Sequence, residues 1–228
     1  AEAPSAYRDG DAVLGVDREA SLLPRAPGPC PCCGGEIEQS SFRWGERLVL
    51  RCIGCGFERL DPPPSDAELA AIYGGPAYYA AWGESNRRDA ARALKRDFFR
   101  RALAAHAGGG GGRLLDCGAA LGYLMEVAEE LGFDAHGVEM NPAACARLGE
   151  RFDAAHVFQG PFPEALDREA DPFDVVTMFD FIEHVRDPLA AVERARQLLR
   201  PGGRLLICTP DAGSLSRAAM RARWLHLK

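Results

Sequence analysis

The 228-residue sequence has no run of 18 apolar residues, so it predicts no membrane-spanning helix. It opens without an apolar leader, and no secretory signal is expected. Basic residues are not in excess: 27 Lys and Arg stand against 33 Asp and Glu, a formal charge of −6. That balance argues against a domain held to nucleic acid by phosphate contacts, while leaving room for a local basic patch. No internal repeat is visible, which excludes a solenoid or propeller array. Apolar residues make up 47% of the chain, enough to bury a sizeable core.

Cysteine, in contrast, is plentiful. Four of the eight cysteines form two Cys-x-x-Cys pairs, Cys30/Cys33 and Cys52/Cys55. In a chain of this length the pattern reads as metal binding in a reducing compartment, and a cytoplasmic protein is expected. Two thiolate knuckles at this spacing suit tetrahedral zinc, and four soft ligands with no open position imply a structural site. Such a site supplies on the order of 10 kcal/mol of folding free energy to a module too small for a core of its own. The alternative is a set of reduced surface thiols or a redox pair. Cys32 is the spare, while Cys117, Cys145 and Cys208 lie in expected core elements as small apolar fillers.

Four segments are expected. Residues 1–29, rich in Pro, Ala and charge, read as a flexible arm, and 30–60 as a zinc-ribbon-like module. Residues 61–112 read as a helical linker or cap. There Ser65 and Glu68 form a capping box after three prolines. A long helix is expected over 86–107, with Leu94, Phe98 and Ala102 on its apolar face. Its basic face reads as solvated surface, with an anion or partner site as the alternative. From 113 to 228 the pattern alternates: strands at "RLLDC", "DAHGVE", "AAHVF", "FDVVTMF" and "RLLICT", with helices at 123–131, from Pro142 to about 151, and from Pro188 to Leu199. Strands alternating with helices predict an α/β fold, a doubly wound, Rossmann-like parallel sheet.

The bend after "RLLDC" is built from small residues: Asp116, then Gly118, Ala120 and Gly122. Glycines there let a ligand approach the backbone, and a helix N-terminus follows. The spacing is not that of a dinucleotide loop, because Tyr123 stands where the last glycine would be. A tight packing turn is the competing reading. Glu139 ends the next strand, where an acid can accept both hydroxyls of a ribose.

With these residues in view, "LLDCGAALGYLMEVAEELGFDAHGVEMNP" followed by "FDVVTMFDFIEHVRDPLAAVERARQLLRPGGRLLICTPD" resembles the class I S-adenosylmethionine-dependent methyltransferases, over about residues 113–211. The resemblance implies S-adenosylmethionine as cofactor. It places Asp116, Gly118, Ala120 and Gly122 around the methionine part, Glu139 on the ribose and Met140 beside the adenine. It places Gln159 and Gly160 at the adenine edge, and Phe179 with Asp180 near the sulfonium. Three departures stand out. Ala120 replaces the usual central glycine, which is tolerable if its φ is negative. Cys117 and Ala119 differ from the commonest form, and no Asp ends the third strand. The resemblance also implies a final antiparallel pair beyond the fifth strand, so an incomplete catalytic domain is expected.

The cysteine-bearing stretch through "PAYY" resembles the ribbon that precedes the catalytic domain in some of these enzymes. By that likeness Tyr78, Tyr79 or Trp82 closes over the cofactor; packing of the linker is the equal alternative. His184, in "DFIEHV", is the candidate catalytic base, with helix capping as the alternative. Asp180, Glu183 and His184 also resemble a cluster that binds a divalent metal in some quinone-pathway O-methyltransferases. The implied function is methyl transfer to a small molecule (a sugar, a quinone-like compound or another metabolite), with oxygen as the leading acceptor atom. The alternatives are an rRNA methyltransferase and a non-catalytic cofactor-binding or scaffold protein.

Overall fold

A computed structural model describes residues 28–44, 47–75, 89–166 and 171–220. Most of the expected arm, together with Tyr78, Tyr79 and Trp82, lies outside the described residues. The chain divides into two compact units: one holds the described residues up to Pro64 and from Pro210 onward, the other is Ser65–Thr209.

In the first unit, β1 (Ile37–Trp44), β2 (Arg47–Cys52) and β3 (Glu58–Asp61) form an antiparallel sheet in the order β1-β2-β3. Its small core is Cys30, Ile37, Leu50 and Cys52. A short helix from the end of the chain, Leu215–Met220, belongs to the same unit. Its Arg217 is buried and pairs with Glu58 of β3, the Nη1 donating to Glu58 Oε1 at 2.9 Å and to the carbonyl of Ala212 at 2.7 Å. The sequence pattern alone had grouped this stretch with the alternating α/β segment.

The second unit begins with α1 (Asp66–Tyr73). The expected capping box is present: Ser65 Oγ accepts from the Glu68 N–H, and Glu68 reaches back to the Ser65 N–H. The helix α2 (Asp89–His106) follows, then β4 (Arg113–Cys117), α3 (Tyr123–Glu130), β5 (Asp134–Glu139), α4 (Pro142–Gly149), β6 (Val157–Gln159), β7 (Phe173–Phe179), α5 (Pro188–Leu198) and β8 (Leu199–Cys208). The sheet is parallel in the order β6-β5-β4-β7-β8. Successive side chains of a strand point to opposite faces. Leu114 and Val175 therefore join α3 in one buried layer, while Leu115 and Val176 join α5 in the other. Burial on both faces is why β4 and β7 read as continuous apolar runs. Order reverses between β4 and β7, which puts the ligand crevice of such a sheet at their carboxyl ends.

Three local expectations are corrected. Leu94 and Phe98 do not form the buried face of α2; they are 72% and 47% exposed, and Leu103 is buried instead. The inward stripe runs through Arg96, Phe99 and Leu103, and Arg96 joins the more exposed Arg92 and the distant Arg151 in pairing with buried Glu126 of α3. A face chosen on apolar residues alone misses a stripe made partly of ion pairs. The segment "AAHVF" is strand only from Val157; Ala154–His156 is a 3-10 turn capped by Asp153. Finally, "RPGG" does not close α5 as a loop but lies inside β8, whose pairing slips between Phe173 and Val175.

Candidate functional site

The bend after β4 is set by its backbone. Gly118 and Gly122 take φ of 78° and 76°, in the left-handed region that favours glycine. Space demands glycine at both as well. A Cβ on Gly118 would meet the Phe181 ring at 2.8 Å, and one on Gly122 would meet Leu148 at 2.6 Å. The N–H groups of Gly118 and Ala119 both donate to the carbonyl of Val138, tying the bend to β5. Ala120 has φ 49°, so the negative φ expected for it is not found. A left-handed alanine costs about 1–2 kcal/mol. The position repays this locally, since its N–H donates to Glu139 Oε2 at 2.9 Å.

Glu139 thus aims its carboxylate at the bend. Its other oxygen accepts the N–H of Asn141 at 2.7 Å. Burial raises the carboxyl above the ordinary range, and these N–H groups work against that rise. The Met140 N–H is a third donor to this carboxylate, and about four acceptor sites leave capacity for a further hydroxyl. Met140 is half-buried beside it. Gln159 sits opposite Glu139 in the β5–β6 register, and the Gly160 N–H donates to the Glu139 carbonyl.

Asp116 lies beneath the bend, not on its surface. It is 5% exposed, and Thr177 Oγ1 donates to its Oδ1 at 2.8 Å. Burial pushes its carboxyl up to about 7, with the neighbouring charge of Glu139 adding to the rise. At the end of β7, Phe179 turns toward α2 and packs on Phe98 and Phe99. Asp180 has φ 50° and its N–H donates to the Cys208 carbonyl. Its charge also bears on half-buried Lys95, whose ammonium is pulled below its ordinary value mainly by burial.

His184 closes a 3-10 turn after β7, and its Nδ1 lies 2.8 Å from the hydroxyl of Tyr73. Burial holds the imidazole below its ordinary pKa, against the opposing charges of Glu183 and Asp180. Burial thus favours the neutral imidazole, the form that a proton acceptor needs. Among the described residues, Asp180, Glu183 and His184 do not gather their donor atoms into one metal-sized cluster. Glu183 accepts from Thr209 Oγ1 instead. Sequence reasoning missed Tyr73 and Asn141. The only local signal was the Asn141-Pro142 helix start, now seen with Asn141 Oδ1 accepting from the N–H groups of Ala143 and Ala144.

In the other unit, the four expected cysteines converge. Cys30 and Cys55 place their sulfurs 3.7 Å apart, Cys33 and Cys52 3.5 Å. A tetrahedron with Zn–S bonds of about 2.3 Å separates its sulfurs by about 3.8 Å, so the donor set fits zinc. Gly34 and Gly56 turn the chain back with φ of 73° and 76°. The backbone N–H of Cys55 points at Cys52 Sγ and is the largest influence holding that thiol down at about 6. Cys32 is exposed and outside the cluster.

A family profile described as "Methyltransferase domain" matches residues 85–228. The chain belongs to this methyltransferase family. It carries a methyltransferase domain on a parallel, doubly wound sheet, and four clustered cysteines in the other unit fit a zinc-ribbon-like segment. Among curated relatives of this chain, the ubiquinone biosynthesis O-methyltransferase of Cereibacter sphaeroides is 36% identical over 119 residues, 50% of this chain and 48% of that protein. The enzyme of the same name from Acinetobacter baylyi is 34% identical over 110 residues, 46% of each. The chain thus spans about half the length of the curated relatives it matches. Among solved structures, the plantazolicin methyltransferase BpumL in complex with SAH matches with a TM-score of 0.53 at 14% identity, over 70% of this chain and 65% of that one, a likeness of fold. None of the described helices is long and apolar enough to cross a membrane.

Proposed function

We propose that this methyltransferase carries a methyl group from S-adenosylmethionine to an oxygen of a small-molecule acceptor. The observation that carries the reading is the Glu139 carboxylate hydrogen-bonded to the Ala120 N–H across the bend, at the switch point of the sheet. The names of the curated relatives support oxygen as the acceptor atom.

When bound, S-adenosylmethionine supplies an activated methyl on a sulfonium whose leaving group is a neutral thioether. The protein's part is to align, to exclude water and to move a proton. Glu139 would accept the ribose hydroxyls, with Met140, Gln159 and Gly160 bordering the adenine. The bend at Gly118, Ala120 and Gly122 would hold the methionine part along its backbone, its two glycines being required also by the packing of Phe181 and Leu148, and Asp116 braces the bend from below through Thr177. Asp180 would lie near the sulfonium, with Phe179 at the same strand end packed on α2. His184 would take the proton of the acceptor hydroxyl and become an imidazolium.

For the domain plan, residues 30–60 would form a structural zinc module on Cys30, Cys33, Cys52 and Cys55, 61–112 a helical cap and the segment from 113 to Thr209 the cofactor domain, with the helix Leu215–Met220 going to the cysteine-bearing unit. Incubation with S-adenosylmethionine and a panel of phenols and sugars, read by mass spectrometry, tests the function. Methylated phenol or sugar, lost in His184→Gln while cofactor binding persists, is the expected result; methylation confined to amines would overturn the choice of oxygen.

A further inference from the structure

His184 does not stand by itself. Tyr73, at the end of α1 and more than a hundred residues away in sequence, reaches its Nδ1 at 2.8 Å with the two rings inclined at 60°. Tyr73 is held in turn. Asn141 Nδ2 donates to the carbonyls of Tyr73 at 2.8 Å and Gly75 at 3.2 Å. Asn141 is 3% exposed, its Oδ1 caps α4, and its backbone N–H holds Glu139. One buried amide therefore spends both of its polar atoms joining the end of α1 to the start of α4, next to the proposed ribose acid.

We propose that Tyr73 is the positioning residue for His184, and that Asn141 fixes it to the Glu139 end of the site. The purpose assigned to this linkage rests on the methyl-transfer reading; its geometry does not. A neutral imidazole carries one proton on one of two nitrogens, and the partner of the first decides the state of the second. With the Tyr73 oxygen accepting from Nδ1–H, the lone pair is left on Nε2, free to take a proton from an acceptor hydroxyl. With the Tyr73 O–H donating to Nδ1, the proton would sit on Nε2 and His184 would be a donor. Acid–base work at His184 therefore requires the first arrangement. Asn141 keeps it from relaxing by pinning the backbone on which Tyr73 stands.

The test is the nitrogen NMR of His184 in the uniformly 15N-labelled chain near neutral pH, with S-adenosylhomocysteine affinity by calorimetry alongside. The expected wild-type spectrum has Nδ1 protonated and Nε2 bare. Tyr73→Phe moves the proton predominantly to Nε2 while S-adenosylhomocysteine affinity stays within about twofold. Asn141→Asp keeps the helix cap but replaces a donor to two carbonyls by an acceptor, and shifts the His184 signals the same way. A wild-type His184 protonated on Nε2 overturns the proposal without any variant. Signals unchanged in Tyr73→Phe overturn the positioning role, and unchanged in Asn141→Asp alone they overturn the anchor. If the predicted tautomer is found but S-adenosylhomocysteine does not bind, the methyl-transfer reading fails and the positioning stands.

Discussion

The carboxylate of Glu139 and the backbone N–H of Ala120, 2.9 Å apart, join the end of one strand to the loop that follows its neighbour. This contact ties the bend to β5, and it does so around an alanine in a left-handed conformation. Ala120→Gly removes that strain and is expected to raise the unfolding free energy by up to about 1 kcal/mol, less what the unfolded glycine gains in entropy. Urea titration measures it. A less stable variant would show that the Ala120 methyl contributes packing that outweighs the strain.

Asp116 makes the fold's stability depend on pH. Its carboxyl titrates at about 7 in the folded chain, against an ordinary value of 3.8. Between those values the folded state holds a proton that the unfolded state has released. This contribution is full below the lower value and is lost as the pH rises through the upper one. Asp116→Asn keeps an acceptor for Thr177 and removes the titration. Its stability relative to wild type should therefore grow by a few kcal/mol between about pH 5 and about pH 8. A pH-independent difference in unfolding free energy would contradict the assignment.

Arg217 and Glu58 form a pair with side chains 10% and 13% exposed. Removing one member of a buried pair strands the other, so Arg217→Met should cost about 3–5 kcal/mol. The double substitution Arg217→Met, Glu58→Leu should recover much of the loss. Thermal unfolding of the single and double variants reads this directly; equal losses in both would mean that the pair itself contributes little.

The cysteine unit should depend on its metal. One zinc per chain is expected by elemental analysis, falling steeply in Cys52→Ser and little in Cys32→Ser, because Cys32 lies outside the cluster. Chelation should unfold this unit, since site and fold form together. Full zinc content in Cys52→Ser would exclude the four-sulfur site.

Local patterns carried most of the fold into the sequence. The run from Arg113 to Glu139 was legible because β4 and β5 are buried on both faces and glycine punctuates the bend between them. The two cysteine pairs were legible because metal ligation fixes their spacing. Contacts made across long stretches of chain were hidden. No local pattern links Tyr73 to His184, and the face of Arg92 and Arg96 reads as solvated because their partner Glu126 comes from another helix. His136 and His156 likewise meet over Asp134, His136 Nε2 at 3.0 Å from its carboxylate, a junction of two strand starts that spacing does not encode. The left-handed φ of Ala120 was also invisible, since alanine is the residue least indicative of it.

The central claim is that Glu139 holds the ribose of S-adenosylmethionine beside the bend, and calorimetry with S-adenosylhomocysteine tests it most directly. Wild-type chain should bind one equivalent, and Glu139→Ala should weaken binding by about tenfold or more through loss of charge-assisted hydrogen bonds. Equal affinity in wild type and Glu139→Ala, with both chains folded, would contradict the account.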